Sequence, residues 1–273
     1  MKPGDVPIET SSIYSGDFIT CYRSAGHGDP LILLHGAGGN SSMFEGALAR
    51  LAEHRQVIAP DILGHGRSSG PAGCYTASAY CRWLDSTLSG LETGPVDLAG
   101  HSMGGAIALR FAARRPALVR HLILIDPISL GLPDIRSTLR LLAALFSTKP
   151  EQALNLVAQV MFSSNGPPSE GSNAWTQLRS AEIPRGLSGF GWMFARTWHV
   201  ALPVSRRRLA RFEMPILILW GQDDRYFPVV QARRALHFLR SARLVEIPAA
   251  GHVPFLEQPG PFAAAIDAFL RSG

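Results

Sequence analysis

The chain is poor in cysteine, in long hydrophobic runs and in lysine. Its 273 residues include three cysteines, Cys21, Cys74 and Cys81, with no CxxC pair. This excludes a disulfide framework and a zinc ribbon, and it favours a reducing compartment. The longest apolar stretches, such as Leu141 to Phe146, are far shorter than the roughly 20 residues that cross a bilayer, and no apolar signal region is seen near the start. We therefore expect a cytoplasmic protein without a membrane span.

Only two of the cationic residues, Lys2 and Lys149, are lysines, so arginine carries the net charge of +5. The arginines are scattered among acidic and apolar residues. A nucleic-acid interface would gather them on one face and interleave them with aromatic side chains. We therefore expect no nucleic-acid partner.

Short apolar runs alternate with amphipathic segments along most of the chain. The runs are apolar at successive positions, as strands need when helices cover both faces of a parallel sheet. Two β-rich segments (8–12 and 18–23) precede runs at 31–34, 56–59, 96–99, 122–125, 216–220 and 244–247, and helical patterns lie at 42–51, 77–91, 104–114, 229–239 and 262–270. The pattern predicts a doubly wound, mostly parallel eight-stranded α/β sheet flanked by helices.

One connection does not fit this rhythm. After the strand that ends at Asp126, the next strand begins only near Ile216. A crossover needs about a dozen residues, and a structureless loop of this length is implausible in a compact domain. We therefore predict an inserted helical cap at residues 129–209, above a core formed by residues 1–128 and 210–273.

The strongest local motif is Gly100-His101-Ser102-Met103-Gly104, between an apolar run and a helical pattern. In that context G-x-S-x-G forms a sharp strand-to-helix turn that exposes the serine hydroxyl. Side chains at the two glycines would collide with the neighbouring strand or helix. Ser102 is the predicted nucleophile.

A serine hydroxyl needs a base within hydrogen-bond reach. His252 follows the run at 244–247, so it lies at the same sheet edge as Ser102, on a loop. Histidine suits this role because its pKa is near neutral pH. We predict that His252 is the base.

The base needs a carboxylate that orients it and stabilises its charged form. Asp223 and Asp224 both follow the run at 216–220, at the same edge. We choose Asp224, with Asp223 as the second choice. In a different geometry, Asp126 could be the carboxylate that orients the histidine. The alternative interpretation of Asp126 is a helix-capping or turn aspartate before Pro127.

Acyl transfer also requires N–H donors for the developing oxyanion. The backbone N–H of Met103, directly after the nucleophile, is one predicted donor. The other should lie in the glycine-rich loop after the run at 31–34, where we assign the N–H of Ala37, with Gly38 as the alternative. The glycines of this loop do not form G-x-G-x-x-G, so we expect no dinucleotide, and we expect no other cofactor and no metal.

These motifs resemble the α/β-hydrolase family over nearly the whole core. Besides the elbow at Ser102, the segment from Asp61 to Ser68 resembles the family loop D-x-x-G-x-G-x-S. The segment from Gly221 to Pro228 resembles its acid loop G-x-x-D-x-x-x-P, which supports Asp224, and the segment from Gly251 to Pro259 resembles its histidine loop. The order serine, aspartate, histidine is also that of the family. Serine at 102 argues against haloalkane dehalogenases and epoxide hydrolases, which resemble this scaffold but use aspartate there.

The resemblance implies a serine hydrolase that cleaves a carboxylic ester or lactone, with a small-molecule acyl or aryl substrate. One alternative is a C–C bond hydrolase of a ring-fission diketone. Such enzymes share the S-M-G-G elbow, but they commonly carry asparagine before the serine and tryptophan after the histidine, where this chain has His101 and Val253. A perhydrolase or cofactor-free haloperoxidase shares the elbow, although the long cap argues against it. A receptor that retains the triad is the fourth interpretation, and a homodimer is left open.

Pocket residues are expected from the loops around the elbow and from the cap. Gly36 and Gly38 belong to the oxyanion loop, Phe44 and Phe255 are expected as walls, and Trp192 represents the cap aromatics. Three cap arginines could bind a substrate carboxylate: Arg179, Arg185 and Arg196.

Overall fold

One eight-stranded sheet organises the chain in the computed structural model, which describes residues 6–70, 75–164, 166, 186–202 and 204–272. The strands are β1 (Glu9–Ser15), β2 (Phe18–Ala25), β3 (Pro30–Leu34), β4 (Gln56–Pro60), β5 (Val96–His101), β6 (Val119–Ile125), β7 (Ile216–Gly221) and β8 (Ala242–Ile247). Their order across the sheet is β1-β2-β4-β3-β5-β6-β7-β8. The pairs β1–β2 and β2–β4 are antiparallel, and the other pairs are parallel. The predicted fold class is confirmed.

The described helices flank this sheet or lie in the long connection after β6. They are α1 (Glu45–Leu51), α2 (Ala77–Gly90), α3 (Met103–Arg114), α4 (Ile135–Phe146), α5 (Pro150–Met161), α6 (Gly186–Ala201), α7 (Arg206–Leu209), α8 (Val230–Ala235), α9 (Pro254–Glu257) and α10 (Pro259–Arg271). A 3-10 turn over Ser41–Phe44 precedes α1.

Both faces of the central strands, β3 to β7, are buried, which explains their uninterrupted apolar runs. In β3, Ile32 and Leu34 join a core cluster with α2 and α3, whereas Leu31 and Leu33 join a second cluster with α1 and α10. All four side chains are fully buried. Since burying one leucine or isoleucine contributes about 1.5–3 kcal/mol, such runs specify an interior strand.

Two helical segments differ from the prediction. The segment expected at 229–239 is helical only as α8 and continues as turns after Ala235. Helix α6 was not predicted as a helix, because glycines at 186, 189 and 191 lower helix propensity.

Helices α4, α5 and α6 all lie within the predicted cap segment. Helix α4 packs against α5 and α6, and α6 packs against α3, at the helix that follows the elbow. The cap boundaries at 129 and 209 stay a prediction. Cys74, Arg179 and Arg185 lie outside the described residues. None of the described helices combines the length and the hydropathy that crossing a membrane requires.

Candidate active site

Ser102 lies at a strained turn between β5 and α3. Its backbone has φ +52° and ψ −113°. Residues other than glycine rarely adopt this conformation, which costs on the order of 1–3 kcal/mol. Its N–H donates to the carbonyl of Ile125, and its carbonyl accepts from the N–H groups of Ala106 and Ile128. These bonds to β6 and α3 hold the strained conformation in place.

The glycines of the elbow allow the backbone to approach this closely. A Cβ on Gly100 would lie 2.3 Å from the carbonyl oxygen of Gly104, and a Cβ on Gly104 would lie 2.4 Å from that of Leu34. No side chain fits at either position without moving β3, β5 or α3. The G-x-S-x-G spacing is therefore a packing requirement of this turn.

The structure brings His252 and Asp224 into contact. His252 Nδ1 lies 2.8 Å from Asp224 Oδ2, and both residues are buried. The other carboxylate oxygen of Asp224 accepts from the N–H groups of Tyr226 (2.8 Å) and Phe227 (2.9 Å). Asp223 is exposed. Of the two adjacent aspartates, Asp224 is the one that orients the imidazole.

Asp126 lies beside this pair. One carboxylate oxygen or ring nitrogen from each of Asp126, Asp224 and His252 falls within 4.8 Å of the others. Asp126 Oδ1 accepts from the N–H of Gly221, whereas its buried Oδ2 has no hydrogen-bond partner among the described residues. Burial, reinforced by the charge of Asp224, raises the pKa of Asp126 well above its usual value. The surroundings of Asp126 therefore favour its protonated form, whereas Asp224 is the carboxylate that contacts His252.

His101, next to the predicted nucleophile, holds the histidine loop. Its Nε2–H donates to the backbone carbonyl of His252 at 2.7 Å. Burial, with the neighbouring imidazole of His252, lowers the pKa of His101 well below its usual value, which favours the neutral ring. The residue before the predicted nucleophile is therefore bonded directly to the backbone of the predicted base.

The two phenylalanines expected as pocket walls are buried beside His101. Phe44 is 0% exposed and Phe255 is 1% exposed, with ring centroids 4.7 Å apart. Phe255 also meets the ring of His101 edge to face at 4.9 Å. Both rings therefore support His101, and their role as pocket walls stays a prediction.

The histidine loop is also bonded to the end of α5. The N–H of His252 donates to the carbonyl of Met161 at 2.8 Å. Glu257 bridges the same two segments, since its carboxylate accepts from the N–H groups of Gly251 (2.7 Å) and Ser163 (2.8 Å). Burial raises the pKa of Glu257. The sequence analysis did not predict the bonds between α5 and the histidine loop. The one signal for them was Glu257, which was noted only as part of the histidine-loop motif.

The glycine-rich loop after β3, which contains Ala37, runs against Ser102. A Cβ on Gly36 would lie 3.2 Å from Ser102 Cβ and 2.9 Å from His101 Nδ1, so only glycine fits there. Gly38 has φ +73°, and the carbonyl of Gly36 accepts from the N–H of Gly39. Ala37 lies within this turn, and Met103 begins α3 directly after Ser102. The assignment of their N–H groups as oxyanion donors stays a prediction.

The buried side chain of His35 holds the glycine-rich loop after β3 in place through two hydrogen bonds. Its Nε2 accepts from the N–H of Ile62 at 2.9 Å, so its Nδ1–H donates to the carbonyl of Gly36 at 2.8 Å. Burial lowers the pKa of His35, which keeps this tautomer neutral.

Trp192, on α6, is connected to this loop through His65. The rings of Trp192 and His65 meet edge to face at 5.1 Å, and His65 meets His35 at 5.4 Å. The guanidinium of Arg196 lies over Trp192 (4.4 Å) and Tyr75 (4.9 Å), and its buried Nε has no hydrogen-bond partner among the described residues. Arg196 is therefore partly enclosed near the site.

With this geometry established, comparison with known proteins gives the class. The model of the alpha/beta hydrolase family matches residues 31–265, and the chain belongs to this family of hydrolases. The chain is 30% identical to an uncharacterised protein of Mycobacterium tuberculosis, over 91% of this chain and 77% of that protein. It is 28% identical to a 2-hydroxy-6-oxo-2,4-heptadienoate hydrolase of Pseudomonas putida, over 95% of both chains. The solved structure of a thermophilic esterase from Thermogutta terrifontis matches with TM-score 0.78 and 25% identity, over 97% of this chain and 98% of that one.

Proposed function

We propose that the protein hydrolyses a carboxylic ester or lactone through an acyl-enzyme on Ser102. The observation that carries the proposal is the buried His252–Asp224 pair, at 2.8 Å, on the sheet edge where Ser102 occupies its strained turn. The similarity to an esterase structure supports the same chemistry.

In the first half-reaction, His252 Nε2 takes the proton of the Ser102 hydroxyl as the oxygen attacks the carbonyl carbon. Asp224 keeps the proton on Nδ1 and stabilises the imidazolium. The N–H groups of Ala37 and Met103 bind the oxyanion, a contribution of about 10²–10³ in rate for each donor. Collapse of the tetrahedral intermediate expels the alcohol, which takes the proton from Nε2.

In the second half-reaction, water attacks the acyl-enzyme. His252 Nε2 accepts a proton from the water, and the resulting oxyanion occupies the same two N–H groups. Collapse releases the acid and returns the proton to the oxygen of Ser102. Neither half-reaction needs a cofactor, because the imidazole of His252 accepts and returns every transferred proton.

A second candidate is hydrolysis of a C–C bond in a ring-fission diketone. The Pseudomonas putida relative and the partly enclosed Arg196 favour it, since a dienoate substrate carries a carboxylate that an arginine can bind. His101 and Val253 stand where such enzymes commonly carry asparagine and tryptophan, and His101 is already engaged with the backbone of His252. We therefore rank this function second.

The remaining interpretations are separated by kinetics. A triad-retaining receptor would show no catalytic burst with a generic ester, and a perhydrolase or haloperoxidase would need peroxide for its characteristic product. The cytoplasmic location stays a prediction that rests on cysteine usage, and a homodimer stays open.

The test is a turnover panel of p-nitrophenyl esters of increasing chain length, lactones and a vinylogous ring-fission diketone. We expect ester or lactone turnover, and Ser102→Ala should lower kcat by at least about 10⁴-fold while the variant stays folded by circular dichroism. Unchanged turnover in Ser102→Ala would remove the nucleophile assignment. Activity confined to the diketone would establish the second candidate instead.

A further inference from the structure

Helix α4 presents three of its large apolar side chains to solvent. Ile135 is 67% exposed, Leu139 is 58% exposed and Phe146 is 52% exposed, and Leu132, just before the helix, is 80% exposed. At about 100° per residue, the three helical members fall within roughly 40° of one another. The buried residues Ser137 and Ala144 lie on the opposite side. An ordinary surface helix turns its apolar face to the core, whereas α4 leaves these three side chains in solvent in addition to the half-buried Leu141, Leu142 and Leu145. We call Leu132, Ile135, Leu139 and Phe146 the α4 stripe.

Two arginines border the α4 stripe. Arg136 and Arg140 are exposed and lie one turn apart on the same side of it. Helix α4 itself contains no acidic residue, and Asp134 before it caps the helix by accepting from the N–H of Ser137. The outward face of α4 is therefore both apolar and cationic.

The start of α4 is anchored to the loop that carries Asp224. Ser137 Oγ donates to the carbonyl of Arg225 at 2.7 Å, and the N–H of Asp134 donates to the carbonyl of Tyr226 at 2.8 Å. Both acceptors follow Asp224 directly in the chain. The α4 stripe is thus held at the sheet edge that carries the site, and whatever covers the stripe lies beside that edge.

The charges discriminate between two occupants of the stripe. A second copy of this chain, paired about a two-fold axis, would bring Arg136 and Arg140 of one copy next to those of the other, with no acid on α4 to neutralise them. A membrane surface with anionic headgroups offers acyl chains for the apolar residues and phosphates for the arginines. We propose that the α4 stripe docks the protein reversibly on an anionic lipid surface. This docking does not depend on the reaction at Ser102.

The test is co-sedimentation of the full chain with vesicles. We expect binding to phosphatidylcholine vesicles that contain about one third phosphatidylglycerol, weak binding to pure phosphatidylcholine, and loss of binding at high salt. Absence of binding to the mixed vesicles would overturn the proposal. So would equal binding to both vesicle types, because the arginines would then play no part.

Variants locate the surface. Ile135→Ser with Leu139→Ser should weaken binding about tenfold or more, and Arg136→Gln with Arg140→Gln should weaken it by about fivefold for each arginine. Tyr14→Ser is the matched control, since Tyr14 is 80% exposed on β1, at the end of the sheet remote from β7 and β8, and it should bind as the wild type does.

Circular dichroism and thermal melting of each variant show whether it is folded, and turnover of a water-soluble ester reports on the site separately. Unchanged vesicle binding in the serine double variant would overturn the proposal. A wild-type dimer in sedimentation velocity that the serine double variant dissociates would also overturn it, because it would assign the stripe to a second copy. Vesicle binding without ester turnover would leave the docking in place and remove only the proposed function.

Discussion

Three aspartates lie near the candidate base, and their surroundings give each a different role. Asp224 accepts two backbone N–H groups on one oxygen and faces His252 with the other. Burial beside Asp224 raises the pKa of Asp126, whereas Asp223 is exposed. The peptide N–H groups of Tyr226 and Phe227 hold one oxygen of Asp224 in place, which leaves the other oxygen to orient the imidazole of His252.

This difference predicts unequal effects of two neighbouring substitutions. Asp224→Asn should lower kcat by about 10³–10⁴-fold, because the amide cannot stabilise the imidazolium and favours the wrong tautomer. Asp223→Asn, its matched control, should change kcat by less than about threefold. The measurement is steady-state turnover of the best ester of the panel. The reverse ranking would move the acid by one position.

At this scale the sequence could group residues that follow strands, but it could not give the direction of side chains. The carboxyl ends of parallel strands lie at the same edge of a sheet, so Ser102, Asp224 and His252 could be grouped from their order, and the structure shows the contact between Asp224 and His252. Phe44 and Phe255 follow predicted site segments, and their rings are buried against each other. That packing joins segments far apart in the chain, so no local pattern reports it.

Among the secondary-structure elements, the junction of β3, β5 and α3 has little room for an added side chain. Gly104→Ala should lower the free energy of unfolding by about 1–3 kcal/mol, because its methyl group meets the carbonyls of Leu34 and His35 at 2.4 and 2.5 Å. It should also lower kcat, since relief of the clash shifts the oxyanion loop away from Ser102. Urea denaturation and ester turnover measure the two effects.

The control for that substitution is Gly46→Ala in α1, where a Cβ meets nothing within 4 Å. It should raise the free energy of unfolding by about 0.5–1 kcal/mol, since alanine favours helix and restricts the unfolded chain. Equal destabilisation by both substitutions would show that the elbow has no special packing requirement.

The sequence predicted strands correctly where burial on both faces of the sheet requires an uninterrupted run of apolar residues, as in β3 and β7. It failed for α6, whose helix depends on packing against α3 and α4 and not on local propensity. The bonds between α5 and the histidine loop likewise join segments about ninety residues apart, and no local pattern reports them.

For the whole molecule, buried neutral histidines link stability to pH. Burial lowers the pKa of His35 and His101 and lowers that of His65 to about 3. Each titrates near 6.5 in an unfolded chain, so below that pH the unfolded state binds more protons, and the free energy of unfolding falls as the pH falls. Asp126 acts in the opposite sense, because its raised pKa favours the folded state most strongly in acid and this contribution is lost as the pH rises.

We expect His65 alone to contribute a decrease of about 2 kcal/mol in the free energy of unfolding between pH 6.5 and pH 5. His65→Asn should therefore reduce the pH dependence over this range by about one proton, measured by urea denaturation at each pH. His54→Asn, at an exposed histidine, is the control and should leave the slope unchanged. An unaltered slope in His65→Asn would mean that this imidazole takes up its proton equally in both states.

The hydrogen bond from the N–H of His252 to the carbonyl of Met161 has a consequence for the timing of turnover. A movement that lifted the end of α5 would break this bond and would separate Ser163 from Glu257, so the histidine loop would lose both supports. If ligands were exchanged through this end, exchange and bond cleavage would exclude each other and would have to alternate. Under saturating substrate, the observed rate would report how quickly the two states interconvert, so solvent viscosity would slow it even though the chemistry itself involves no diffusion.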